Sequence, residues 1–332
     1  MHLGSLAMSG AGILTLEASA VSPEGRITYA DVGLFDDACE HTMASVLASV
    51  RRWSDMPIAI QLAHAGRKAS CEVPWDGGNQ IAPSAPNGWQ TVAPSPIGFR
   101  ATDQAPVELD ADGLRKVRDD FAAAAQRAAR LGLDAIQVHA AHGYLLHEFL
   151  SPVSNRRSDE YGGSLENRMR FPLEVFEVVR AHFPADKPVS VRISATDWVD
   201  GGWDIEQSVA FARALEARGW SAIHVSSGGN AEHQEIPVGP GYQVPFARAV
   251  TDAVSIPVVA VGLITEAAQA EKILTDGDAD LIGVARAILY DPHWPWHCAA
   301  ELGGSVRAPK QYLRSQPSGL RDLLKAMARP SR

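Results

Sequence analysis

The sequence predicts an α/β fold, a TIM (β/α)8 barrel with strand 1 missing from the chain. The first observation is a repeat. Seven short runs rich in apolar and β-branched residues recur at 13–20, 57–63, 135–141, 188–194, 222–228, 257–263 and 281–287, the pattern of parallel strands buried on both faces. The second is what lies between them. Helical stretches such as 111–131, closing at Gly132, and 205–218, closing at Gly219, each lead within a few residues into the next run. Repeated βα units make either an open doubly wound sheet or a closed barrel. No G-x-G-x-x-G follows the first run, which removes the main sign of a dinucleotide-binding open sheet. The third observation concerns the count, because a barrel needs eight strands and only seven runs are present. The chain opens on HLGSLAMSG, which reads as the second half of an amphipathic helix ending at Gly10 or Gly12. The natural first strand is therefore expected upstream of Met1.

Composition narrows the classes of function. A chain of 332 residues with 46% hydrophobic content can bury one large core, so a single domain over 1–332 is expected, with a C-terminal tail from about 305. A formal net charge of -9 argues against nucleic acid or an anionic membrane surface as partner. Cys39, Cys71 and Cys298 are far apart and lack C-x-x-C spacing, so neither a disulfide framework nor an iron–sulfur cluster is indicated. The first twelve residues carry no basic segment and no long apolar run. The expected setting is cytoplasmic.

Two long excursions interrupt the repeat after strand ends, at 66–106 and 143–170, and loops in these places form the active face of a barrel. The densest chemistry lies at the end of the third run, in QVHAAHGY, residues 137–144. His139 and His142 are three apart, so they converge only if the strand ends between them, and Gly143 suits such a bend. Two imidazoles and the Tyr144 phenol would then gather as donors at the barrel mouth. Local sequence leaves two other readings open: polar residues ending a strand, or a zinc site. Glu148 stands in no recognised ligand spacing and no cysteine is near, so no metal is expected.

The stretch HGYLLHEFLSPVSNRRSDEYGGSLENRMRF, residues 142–171, resembles the signature of the old yellow enzyme family. IQLAHAGRKAS, VSSGGN, VGPGYQVPFA and DPHWPW resemble its bacterial branch of xenobiotic-reductase and YqjM-like ene-reductases. The similarity runs in family order from Leu3 to about Leu323. It implies FMN as cofactor, NADPH or NADH as reductant, and hydride transfer to the activated C=C bond of an α,β-unsaturated carbonyl or nitro compound. His139 and His142 match the pair that hydrogen-bonds the substrate oxygen, and Tyr144 matches the proton donor. Gln61 matches the amide at the polar edge of the isoalloxazine ring, Arg192 the arginine near its N1 and O2, and Ala18 a backbone contact to the ring. Gly262, Ala285 and Arg286 match the FMN phosphate site, although Ala285 stands where relatives often carry glycine. That placement agrees with the general phosphate site after strands seven and eight of barrels.

In APKQYLRSQP, Arg314 matches an arginine that reaches a neighbouring subunit's active site, which implies a homo-oligomer, a dimer or tetramer. One departure stands out. The family's first strand beneath the flavin has no counterpart, and its loss would leave two unpaired sheet edges. A second function is therefore set beside the ene-reductase: a flavin-free, non-catalytic barrel acting as a binding or scaffold protein. A larger iron–sulfur flavoenzyme lacks the necessary cysteine cluster here.

Overall fold

A computed structural model describes residues 1–327. Seven parallel strands form one sheet in chain order: β1 (Leu14–Ala20), β2 (Ile58–Ala63), β3 (Ala135–Ala140), β4 (Val189–Ser194), β5 (Ala222–Ser226), β6 (Val258–Ala260) and β7 (Leu281–Ile282). Each falls inside one of the seven apolar runs. β2, IAIQLA, and β3, AIQVHA, are buried at every position, as expected of strands covered on both faces. Helix α1 (His2–Ala7) precedes β1 and the short α4 (Leu145–Leu150) follows β3; between consecutive strands the chain crosses chiefly by α2 (Asp37–Arg51), α3 (Ala111–Arg130), α5 (Leu165–His182), α6 (Ile205–Glu216), α7 (Val244–Thr251) and α8 (Ala267–Thr275). The final five residues, 328–332, lie outside the described residues, so the tail is followed only as far as 327.

The sheet curls but does not close among the described residues: among its strands β1 pairs with β2 alone and β7 with β6 alone, while the end of β1 adds a single parallel bridge from Ala20 to Gly33. Ile13, beside β1, and Leu281, in β7, are about half exposed, at 48% and 52%. The seventh run, expected as a strand over 281–287, contracts to two residues. Paired on one side only, its ladder ends at the Gly283 N–H bond to the Ala260 carbonyl. The chain then turns into α9 (Arg286–Tyr290).

Helix starts follow from their capping residues. Asp36, Asp110, Ser164 and Asp204 each accept a hydrogen bond from the backbone N–H three residues on, satisfying a donor the helix cannot. α3 buries Leu114, Val117, Phe121, Ala124, Ala125 and Ala128, a stripe at helical spacing. One hydrophobic cluster joins these helices to the strands, with Trp203, Phe121, Phe176 and Phe211 fully buried within it. The tail carries a separate small cluster of Trp296, Ala308, Leu323 and Leu324, beneath a ribbon that pairs Val306–Ala308 with Leu324–Ala326. No helix among the described residues is long and apolar enough to cross a membrane.

Asp204 caps α6 through the Gln207 N–H and also accepts from the Gln207 side chain, each at 2.9 Å. Asp204→Ala should lower unfolding free energy by about 1 kcal/mol in a denaturant titration. Phe121→Ala, which empties a buried volume in α3, should lower it by about 3–5 kcal/mol.

Candidate active site at the end of the third strand

β3 ends at Ala140, and the next four residues decide the site. His142 and Gly143 both take left-handed backbone, with φ of +59° and +74°. This reversal brings the His142 ring back toward His139 instead of letting it alternate to the other face. The two imidazoles lie 5.0 Å apart, edge to face, and the Tyr144 ring lies 4.9 Å from His139, also edge to face. The structure therefore gathers all three rings, with His139 in the middle. Position 143 admits only glycine, because a Cβ there would stand 2.2 Å from the Gly229 carbonyl oxygen.

The electrostatics leave all three rings uncharged. His139 Nδ1 accepts the Ala141 N–H at 3.2 Å, which places its own proton on Nε2. His142 Nε2 lies 2.8 Å from the Ser226 hydroxyl, leaving Nδ1 as its other ring nitrogen. Burial, and then the charge of Arg192, push both histidines well below the usual imidazole range, so they are neutral. Burial pushes the Tyr144 phenol up to about 12, with Asp31 and Cys71 adding to the rise and Arg192 opposing it.

The neighbouring strands extend the same face. Register pairs Ala18 with Gln61 and Gln61 with Gln137; one step along, it pairs His139 with Arg192 and Arg192 with His224. Gln137 and His139 are two apart, so both rows share one face. The Gln61 amide donates to the Gln137 oxygen at 2.6 Å, and the Gln137 nitrogen lies 3.4 Å from His224 Nδ1. His224 Nε2 is buried without a partner. Arg192 has a buried Nε without a partner, and no acidic side chain among the described residues pairs with it. Burial lowers it to about 10, opposed by Tyr144 and Tyr242. A largely desolvated cation without a counter-charge is costly unless an acceptor-rich or anionic group meets it.

Gly262 follows β6 at φ +125°, and a Cβ there would stand 2.7 Å from the Gln243 amide nitrogen. Ala285 and Arg286, after β7, are exposed at the start of α9. Because β6 and β7 are adjacent and parallel, these loops open at the same end of the sheet as the Gly143 turn. Arg314 is exposed in the 3-10 turn Lys310–Ser315, and no hydrogen bond or ring contact joins it to the three rings. Two surface hollows, of about 380 and 280 Å3, are lined by other residues, such as Glu166 and Arg218 or Gln80 and Arg100.

The chain matches the family model described as NADH:flavin oxidoreductase / NADH oxidase over residues 2–303. It belongs to that family. It is 42% identical to a NADPH dehydrogenase of Bacillus subtilis (strain 168) over 313 residues, covering 94% of this chain and 87% of that protein. Among solved structures it is similar to morphinone reductase in complex with tetrahydroNAD, at 27% identity and TM-score 0.73, over 98% of this chain and 88% of the other. It is also similar to the old yellow enzyme homologue from Zymomonas mobilis, at 25% identity and TM-score 0.73, over 96% and 88%. Membership of the NADH:flavin oxidoreductase / NADH oxidase family makes the chain an NAD(P)H-dependent flavin oxidoreductase with FMN as cofactor. The parallel sheet with its helices is the TIM-barrel architecture of these neighbours.

Several polar residues at the site escape sequence reasoning. Gln137 and His224 occupy the same face as the expected residues, and Ser226 holds His142. The two-residue offset of Gln137 from His139 is the signal that could have found it. His224 and Ser226 sit in a run whose apolar neighbours mask them, and only strand register reveals their direction. The elevated Tyr144 pKa has a direct check. Near pH 10, where a free tyrosine is half ionised, ultraviolet difference spectra of the wild-type protein against Tyr144→Phe should show no tyrosinate from position 144. A tyrosinate band there would contradict its burial.

Proposed function

We propose that this flavin oxidoreductase is an ene-reductase, reducing the activated C=C bond of α,β-unsaturated carbonyl or nitro compounds with FMN and NAD(P)H. The observation that carries the reading is the joint placement of His139, His142 and Tyr144 on the face that holds the uncompensated Arg192. Bound FMN supplies hydride that it has received from NAD(P)H. Ala18, Gln61 and Arg192 would hold its ring, since the Gln61–Gln137 row offers amide groups and Arg192 a charge that nothing else meets. Gly262, Ala285 and Arg286 would hold its phosphate, where glycine allows close backbone approach and arginine gives charge-assisted bonds.

The protein's own groups act on the substrate. Negative charge develops on the carbonyl or nitro oxygen as hydride adds to the β-carbon, so fixed donors there stabilise the transition state more than the ground state. His139 donates from Nε2. His142 would donate from Nδ1 with the Ser226 hydroxyl donating to its Nε2, at 2.8 Å, in place of the more distant Gln243 Oε1 at 3.3 Å. Because both imidazoles are neutral, they polarise the oxygen without surrendering a proton. Tyr144, which keeps its proton at neutral pH, delivers it to the α-carbon. The alternative of a flavin-free scaffold leaves the donor cluster and the unpaired Arg192 without a use.

The protein incubated with FMN should gain a flavin absorption band that bleaches with NADPH and returns on adding 2-cyclohexenone. Tyr144→Phe should slow the return by about 100-fold or more, the usual weight of a general acid, while bleaching changes only a few-fold. Equal losses in both half-reactions would contradict the role given to Tyr144, and failure to bind FMN would favour the scaffold. Arg192→Met should weaken FMN binding in a fluorescence titration, whereas unchanged affinity would remove Arg192 from the ring site.

A further inference from the structure

The peptide linking His142 to Gly143 sits between the first substrate-facing imidazole turn and the phenol, and both of its polar ends are held by charged or titratable side chains that the proposed reaction does not use. Its carbonyl, on His142, accepts from Lys68 Nζ at 2.8 Å, and the same ammonium donates to the Gly229 carbonyl at 2.8 Å. Its N–H, on Gly143, donates to His147 Nδ1 at 2.9 Å. His147 Nε2 in turn lies 3.1 Å from Asp197 Oδ1, and neither of these two atoms has another partner. Both side chains are fully buried. The second oxygen of Asp197 accepts from the Ser151 hydroxyl and from the Trp203 N–H at 2.9 Å.

Two elements thus bond this peptide directly, the short turn Gly66–Lys68 after β2 and helix α4 (Leu145–Leu150), and the loop after β4 backs the second through Asp197. The chemistry of the arrangement is specific. An imidazole whose Nδ1 accepts a backbone N–H must carry its proton on Nε2, and a carboxylate facing Nε2 enforces that tautomer. Burial tends to raise the Asp197 carboxyl, but His147, Ser151 and the Trp203 N–H outweigh it and hold the group below its usual range, so it stays ionised. The Lys68 ammonium also lies 5.3 Å from the centre of the Tyr144 ring and 4.5 Å from that of Phe99, where the ring faces attract a cation.

We propose that Lys68 and the His147–Asp197 pair are positioning residues that grip the two ends of the His142–Gly143 peptide and thereby set the aim of both His142 and Tyr144. The grip itself stands on the geometry above; its catalytic consequence rests on the ene-reductase reading. A left-handed, non-glycine residue such as His142 is backbone in a sparsely occupied conformation, retained only where surrounding groups over-determine it. Rotating this one peptide would turn the imidazole and the phenol together. A misplacement near 1 Å at reacting groups costs on the order of 100-fold in rate.

Lys68 adds a pH signature. Burial and the neighbouring Arg67 bring it down to about 8, while Glu148 and Cys71 favour its charge and Arg100 disfavours it. Below that pH the ammonium is present; as pH rises through it, the charge is lost and the carbonyl end of the grip weakens. Turnover should fall over the same interval.

The test uses the full chain with added FMN, labelled with 15N in its histidine rings, as wild type and as Asp197→Asn, Lys68→Met and Lys68→Arg. The wild-type imidazole spectrum should show His147 protonated at Nε2 and unprotonated at Nδ1, and Asp197→Asn should disturb that pattern. With 2-cyclohexenone, Asp197→Asn and Lys68→Met should each lower kcat and raise KM, together by on the order of tenfold to 100-fold in kcat/KM, with flavin content unchanged. Lys68→Arg should restore turnover and remove the fall near pH 8. A His147 proton on Nδ1, or turnover within about twofold of wild type in both Asp197→Asn and Lys68→Met, overturns the proposal. If the wild-type holoprotein does not reduce the enone while His147 shows the expected tautomer, the grip stands and the ene-reductase reading falls.

Discussion

The site depends on a reversal of the chain at His142 and Gly143, immediately after β3. A strand alone would send His139 and His142 to opposite faces; two successive left-handed residues bring them to one. Left-handed backbone costs a non-glycine residue roughly 1–2 kcal/mol, and the protein holds it in place with bonds to the backbone on both sides of the reversal. The His142 N–H donates to the Ser194 hydroxyl, which donates onward to the Gly228 carbonyl. Local strain at a working site is thus supported by neighbouring strands, whose own pairing is unbroken there.

The same sheet face carries a second imbalance, an arginine without a carboxylate. Arg192 is flanked in register by His139 and His224, and it depresses the basicity of both. One charge therefore does two things. It reinforces the burial that already keeps the imidazoles neutral, and it stands on the same sheet face as the three rings. A protein selected for stability alone would neutralise such a group or replace it with an apolar one. Its place beside three converging rings is the physical basis for the proposed flavin site.

Much of this was legible in the sequence. The seven strands appear as apolar runs because parallel strands bury both faces, and α3 and α6 are followed within three residues by Gly132 and Gly219, both in left-handed backbone. His139, His142 and Tyr144 stood out as polar rings clustered at a strand end beside a glycine, and the family resemblance supplied their expected roles. The last strand was overread: Leu281 to Ala287 has the composition of a strand, but composition cannot show that a ladder has a partner on one side only. Lys68, His147 and Asp197 were also illegible. They lie 74, 5 and 55 residues from His142 in sequence, counted from their own numbers, and hydrogen bonds to a single peptide leave no periodic trace. Arg314 was visible as a residue, and among the described residues it is exposed and joined to none of the three rings.

In the proposed site the three rings face a flavin held by Gln61 and Arg192. A crystal structure of the protein soaked with FMN and an unreactive nitro or carbonyl ligand tests it most directly. The expected result is the polar edge of the isoalloxazine against Gln61 and Arg192, with the ligand oxygen bonded to both His139 and His142. A flavin bound elsewhere, or a ligand oxygen that meets neither imidazole, would contradict it.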